Sequence, residues 1–155
     1  MMYPHHNTQA GFKYPGNRLL QLKGIIPENL LRHPDTLDSN GDPCLLVIKR
    51  GLATQTTIGR ATGIFSYVRE YLSNKTCRTS KEWAILPYDS DSDAFSKRGD
   101  SGSVIVDGRG RFGGLLTGGT GLTESIDVTY ATPFFWLWSI IKVMYPHAHL
   151  DPIIE

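Results

Sequence analysis

The sequence predicts an all-β domain, a small antiparallel barrel or sandwich, with a single helix at its C-terminal end. Short apolar runs recur at roughly 8- to 20-residue intervals, each stopped by glycine or proline, as expected of strands joined by turns. The 16 glycines and 9 prolines among 155 residues are spread along the chain and supply those stops. After Pro133 the apolar positions change to a helical period.

Residues 1–43 carry prolines at 4, 15, 27, 34 and 43 and show no clear periodicity, so an extended arm is expected, with Leu19-Leu20-Gln21-Leu22 its one short strand. His5-His6 lacks companion ligands at a metal-binding spacing and reads as solvent-exposed. Asp38-Ser39-Asn40-Gly41 resembles part of a calcium loop but lacks its first acid and closing glutamate, and reads as a turn.

From Cys44 the pattern becomes β-rich. Cys44 to Lys49 ends at Gly51, and Thr54 to Thr57 leads to Ile58-Gly59. Gly63 to Tyr71, Trp83 to Leu86, Val104 to Val106, Phe112 to Thr117 and Val128 to Ala131 follow. With strands alternating faces, Ile48, Phe65, Trp83, Val104 and Leu115 are expected in the core. Asp89, Asp91 and Asp93 have alanine, not glycine, at the sixth loop position, so a solvated loop is expected there. Thr132-Pro133 has the form of a helix start, a capping hydroxyl followed by proline. Phe134, Leu137, Trp138, Ile141 and Tyr145 make one stripe of a helix from about 133 to 145, with a packing role.

The length suits one domain. A net charge of +1 with no basic tract excludes a nucleic-acid surface or a polybasic membrane patch. The longest apolar run, Pro133 to Met144, is too short to span a bilayer, and the N-terminus lacks the pattern of a signal peptide. Cys44 and Cys77 make no disulfide framework; they could pair in a secreted chain, and a reduced intracellular pair is the favoured reading. No cofactor or metal is implied.

The stretch that carries chemistry is Gly99-Asp100-Ser101-Gly102-Ser103, running into Val104-Ile105-Val106. Flanking glycines allow a sharp turn that exposes a serine hydroxyl and leaves nearby N–H groups free for an oxyanion. A plain hairpin turn has the same local signature.

Three ordered blocks resemble the C-terminal barrel of a chymotrypsin-like (trypsin-like) serine peptidase. Lys49, Gly51, Thr54, Thr57 and Gly59 follow the K-x-G-x-x-T-x-x-T-x-G opening of that barrel, with Gln55 where the pattern usually has glycine. Gly99 to Ser103 resembles the nucleophile turn, with Ser103 in place of the commoner glycine. Gly114-Leu115-Leu116-Thr117-Gly118-Gly119, Val128 to Ala131 and the terminal helix resemble the remainder. The wording is also similar to trypsin-like domains of fungal proteins.

The resemblance covers about residues 44–146 and implies a six- to seven-stranded antiparallel barrel plus helix, with 147–155 a tail. It implies Ser101 as nucleophile, the N–H groups of Gly99 and Ser101 as oxyanion hole, and Asp100 buried as support for the turn through a cationic or N–H partner. It implies that Thr117, Gly118 and Gly119 pair with a peptide or protein substrate and line its pocket with Phe95 and Arg98. Phe95 falls where an acid would select Lys or Arg, so an apolar or small side chain is expected at the cleavage site.

In this family the histidine and aspartate come from an N-terminal barrel. Six strands and their turns need at least about 50 to 60 residues, more than the 43 before the match. His5, His6 and His33, and Asp35, Asp38 and Asp42, precede the match outside family-like contexts, and His147 and His149 follow it. Two readings remain: a peptidase lobe completed by another chain, or a non-catalytic remnant serving as a binding or structural module. Either way, an apolar face left uncovered by a missing barrel would favour a partner lobe or self-association, unless residues 1–43 cover it.

Overall fold

The computed structural model describes residues 19–38, 40–73, 75–120 and 128–150. Seven antiparallel strands form one sheet that closes on itself, followed by a C-terminal helix. Strand β1 (Leu45–Gly51) turns back as β2 (Gln55–Ala61), and the two pair from Leu45↔Ala61 to Gly51↔Gln55. On its other side β1 pairs with β5 (Val104–Asp107), then come β6 (Phe112–Gly119) and β7 (Thr129–Pro133). The long β4 (Cys77–Pro87) pairs with β7 at Ala84↔Tyr130 and with β2 at Arg60↔Leu86, which completes the ring. Strand β3 (Phe65–Tyr71) stands outside the ring, paired only with the first half of β4.

The interior holds Leu45, Val47, Ala61, Trp83, Ile85, Phe95, Ile105, Leu116 and Ala131. Trp83 is buried as expected, and Phe65 packs half-buried against the core. Ile48 and Leu115 are only half-buried, and Val104 is 36% exposed. Their neighbours Val47, Leu116 and Ile105 point inward instead. The apolar runs occupy both faces of each strand, so composition left the parity open. Pairing settles it, and in β1 it carries Lys49 inside as well.

The described part of residues 1–43 is not an extended arm. Leu19 to Leu22 form no strand. The chain instead bonds to the β5–β6 turn and the start of β6: Lys23 N–H to Gly110 O at 2.9 Å, Phe112 N–H to Gly24 O at 3.0 Å, and Ile26 N–H to Phe112 O at 2.9 Å. A short helix, α1 (Glu28–Arg32), follows Pro27 and sets Leu31 beside Ile26 in the core cluster. Asp38 Oδ1 accepts the N–H groups of Asn40 and Asp42, so the expected turn is present on the described residues. Asp89 Oδ1 likewise accepts from Asp91 N–H and the Ser92 hydroxyl, in an exposed loop.

Helix α2 (Phe134–Met144) starts one residue later than the sequence implies, because Pro133 is the cap residue and no side chain caps the helix. Thr132 is held in β7 opposite Leu115, and its hydroxyl donates to Glu82 instead. Phe134 stacks between Phe112 and Trp138, with ring centroids at 5.1 and 6.2 Å. Tyr145, expected on the packing stripe, is 64% exposed beyond the last turn. Trp136, Ile140, Val143 and Met144 form an exposed apolar face. Among the described residues no helix is long and apolar enough to cross a membrane. Cys44 is buried and Cys77 exposed, and both are free thiols. Burial pushes the Cys44 thiol up from its ordinary value.

Candidate active site

Residues 97–103 form two successive turns. Lys97 O accepts the Asp100 N–H at 3.1 Å, and Asp100 O accepts the Ser103 N–H at 3.1 Å. Gly99 at φ +100° and Gly102 at φ +84° supply the left-handed conformations the path needs. The segment is fastened to β6 by Gly102 N–H to Leu116 O at 2.7 Å and Leu116 N–H to Ser103 O at 3.0 Å. Ser101 is exposed at the crest. Among the described residues, the N–H groups of Gly99 and Ser101 have no acceptor.

Asp100 lies beneath the crest, fully buried. Its Oδ1 accepts from Ala53 N–H at 2.8 Å and Thr54 N–H at 3.2 Å. Its Oδ2 accepts from the Thr54 hydroxyl at 2.6 Å and Lys97 N–H at 3.1 Å, and Lys49 Nζ stands 3.1 Å away. Burial works to raise the carboxyl. The Thr54 hydroxyl, the N–H groups of Lys97 and Ala53 and the Lys49 ammonium outweigh it and hold the group far below the usual carboxylate range. Lys49, equally buried, also donates to the Thr54 hydroxyl and to Gln55 O at 3.4 Å.

Every position in the opening block therefore touches segment 95–100. Lys49 and Thr54 bind the carboxylate. A Cβ on Gly51 would lie 2.2 Å from Asp100 Oδ1, so only glycine leaves room there. The Thr57 hydroxyl donates to Phe95 O at 2.7 Å, and a Cβ on Gly59 would meet the Phe95 ring at 2.7 Å. Lys49 is the partner of Asp100 that the sequence left unassigned.

The one departure from the block is Gln55, which adopts φ +57°. A residue with a Cβ is strained there by about 1 to 2 kcal/mol. Its side chain recovers part of this through an exposed bond from Nε2 to Leu52 O at 3.0 Å. Gln55→Gly is expected to raise the melting temperature by about 2 to 4 °C. A thermal scan showing a lower melting temperature would mean that the bond outweighs the strain.

The other expected site residues divide. Phe95 is fully buried in the core cluster, with Lys49 Nζ 5.6 Å from its ring centroid. Ser96, also buried, shares a 2.7 Å hydrogen bond with the Thr129 hydroxyl. Arg98 is exposed. Thr117, Gly118 and Gly119 end β6, past its last β5 partner at Leu115, so their strand pairs on one side only, with β7. That one-sided edge begins immediately after Leu116, the residue bonded to the Ser101 turn. A groove of about 1070 Å³ lies along Thr117–Gly119, between the β3–β4 hairpin and the start of α2. It does not include Ser101, Phe95 or Arg98.

Among the described residues, no imidazole or carboxylate is hydrogen-bonded to Ser101. Asp35 is engaged by Arg109 at 2.9 Å and Asp38 by Arg60 at 3.3 Å. His33 ends α1, and His147 and His149 follow α2, all exposed. His5 and His6 lie outside the described residues. No cluster of three metal-ligating side chains occurs among the described residues. The chain matches no protein-family model and is similar to no curated protein sequence.

Proposed function

We propose that this chain is the nucleophile-bearing lobe of a trypsin-like serine peptidase. The observation that carries the reading is the pair of N–H groups at Gly99 and Ser101, without acceptors among the described residues, flanking an exposed hydroxyl beside a one-sided strand edge. A peptide added to β6 along Thr117–Gly119 would present a backbone carbonyl to Ser101. Ser101 Oγ attacks that carbon, and the carbonyl oxygen becomes an oxyanion held by the two N–H groups. Each such donor contributes about 3 to 4 kcal/mol in the transition state. The hydroxyl proton must pass to a base as the bond forms, and no described residue is hydrogen-bonded to that hydroxyl. A second lobe carrying histidine and aspartate supplies it in this reading.

That no base is bonded to Ser101 among the described residues also favours a second reading, a non-catalytic remnant that keeps the turn for structure. A fluorophosphonate probe separates the two. The chain alone is expected to label feebly, since loss of the base costs about 10⁶ in rate in subtilisin. Adding a lobe with histidine and aspartate in family-like contexts is expected to produce rapid labelling that Ser101→Ala abolishes. No labelling in either condition supports the remnant. Rapid labelling of the chain alone, dependent on Ser101, would show that it carries its own base.

A further inference from the structure

We infer that Glu82 makes the groove beside β6 a receptor for a basic side chain, an arginine above all, on a peptide paired to the Thr117–Gly119 edge. The peptide's position rests on the reading above; the cation site does not.

The groove is lined by three carboxylates and four cations, and of the three carboxylates Glu82 alone has no cationic partner among the described residues. Glu28 pairs with Arg32 and Glu70 with Arg78. Arg32 also stands 4.9 Å over the Phe65 ring, and Lys81 stands 5.1 Å from the same ring. Arg69 Nε reaches the Thr79 hydroxyl at 3.5 Å. Glu82 is the most buried of the seven, only 6% exposed, and among the described residues no cation lies within ion-pair distance of it.

What holds Glu82 is weak for a buried carboxylate. Oε2 accepts from the Thr117 hydroxyl at 3.3 Å and the Thr132 hydroxyl at 3.2 Å. The Thr117 hydroxyl has one proton, and Tyr130 O competes for it at 3.2 Å. Both of these bonds go to Oε2, Oε1 has no protein donor among the described residues, and the residue lines the groove. A buried charge with so few donors is costly until a cation meets it. A guanidinium suits the place, because its planar fork matches a carboxylate and its face can stack on the nearby, half-exposed Trp136. Thr117 links the two parts of the site. Its backbone belongs to the open strand edge, while its hydroxyl reaches Glu82. A side chain of the paired peptide lying on the face of Thr117 is thus directed toward the carboxylate. This subsite does not include Phe95, the position at which the resemblance implies no basic preference.

The test measures binding by the Ser101→Ala chain, so that turnover plays no part. Fluorescent hexapeptides carrying one arginine at successive positions are compared with peptides carrying citrulline, its neutral isostere. At one position arginine is expected to bind at least about tenfold more tightly, the ratio for one charge-assisted hydrogen bond. Glu82→Gln should bring that ratio close to 1 while the melting curve shows a folded chain. Butylguanidinium, titrated against butylurea, probes the cation site without any peptide backbone. If it binds in a Glu82-dependent way while no peptide does, the cation site stands and the strand-edge reading falls. If peptides bind with no arginine preference, the edge reading stands and this inference falls. Should Glu82→Gln fail to fold, equal binding of arginine and citrulline peptides by the Glu82 chain overturns the inference just as well.

Discussion

Lys49→Met is expected to destabilise the fold by about 3 to 5 kcal/mol, the usual cost of removing one partner from a fully buried ion pair. The methionine fills most of the lysine's volume, so little of the loss comes from packing. The cost arises because Asp100 keeps its charge with no exposure to water and no cation beside it. Adding Asp100→Asn should recover part of the loss. The amide oxygen still accepts from Ala53 and Thr54, and the unpaired charge is gone. Urea denaturation of the wild type, both single variants and the double variant gives the coupling, expected to exceed about 1 kcal/mol. A cost below about 1 kcal/mol for Lys49→Met would show that hydrogen bonds alone sustain the carboxylate. The pH dependence has a fixed sign. The native carboxyl sits below its unfolded value, so its stabilising contribution is complete above about pH 4. It is lost as the pH falls toward the native value, because the unfolded chain then binds the extra proton. The double variant should show a flatter decline between pH 5 and pH 2.

Ile26→Ala and Leu31→Ala are each expected to cost about 2 to 5 kcal/mol. Both side chains are fully buried, although they come from the segment ahead of the first strand. Ile26 closes against the face of the barrel where Gly113 and the Trp83 ring meet: a Cβ on Gly113 would lie 2.8 Å from that ring and 3.1 Å from Ile26. Leu37→Ala, at a position 58% exposed in the same segment, should change stability by less than about 0.5 kcal/mol. If all three variants melt alike, residues 19–43 are a dispensable cover and not part of the core.

Most strands were legible because they hold apolar runs between breakers, and a barrel of six to seven strands follows from their number and spacing; the polar first half of β4, Cys77 to Glu82, gave no such signal. Which face of a strand points inward was not legible. Leu45 to Ile48 and Val104 to Val106 are apolar at every position, so a shift of one residue leaves the pattern unchanged. Helix α1 was hidden because Pro27 and Pro34 bracket a stretch too short to show a helical period. Ser101, Asp100 and the glycines could be singled out because the turn is local. Lys49 could be quoted as part of a pattern but not given a role, since a lysine in a strand ordinarily marks the solvent side. Its partner lies in a distant turn, and closure of the barrel brings the two together. Glu82 carried no signal for the same reason: the hydroxyls around it come from β6 and β7.

The pairing of Lys49 with Asp100 also bears on how the turn at Ser101 acquires its shape. The countercharge is a side chain in the middle of β1, present as soon as the barrel has closed, and not a group that must first be released by cutting the chain. The turn around Ser101 is thus set at folding, with no separate event needed to shape it. Under the function proposed above, control of Ser101 falls on what reaches it, through delivery of a proton acceptor or occupation of the β6 edge.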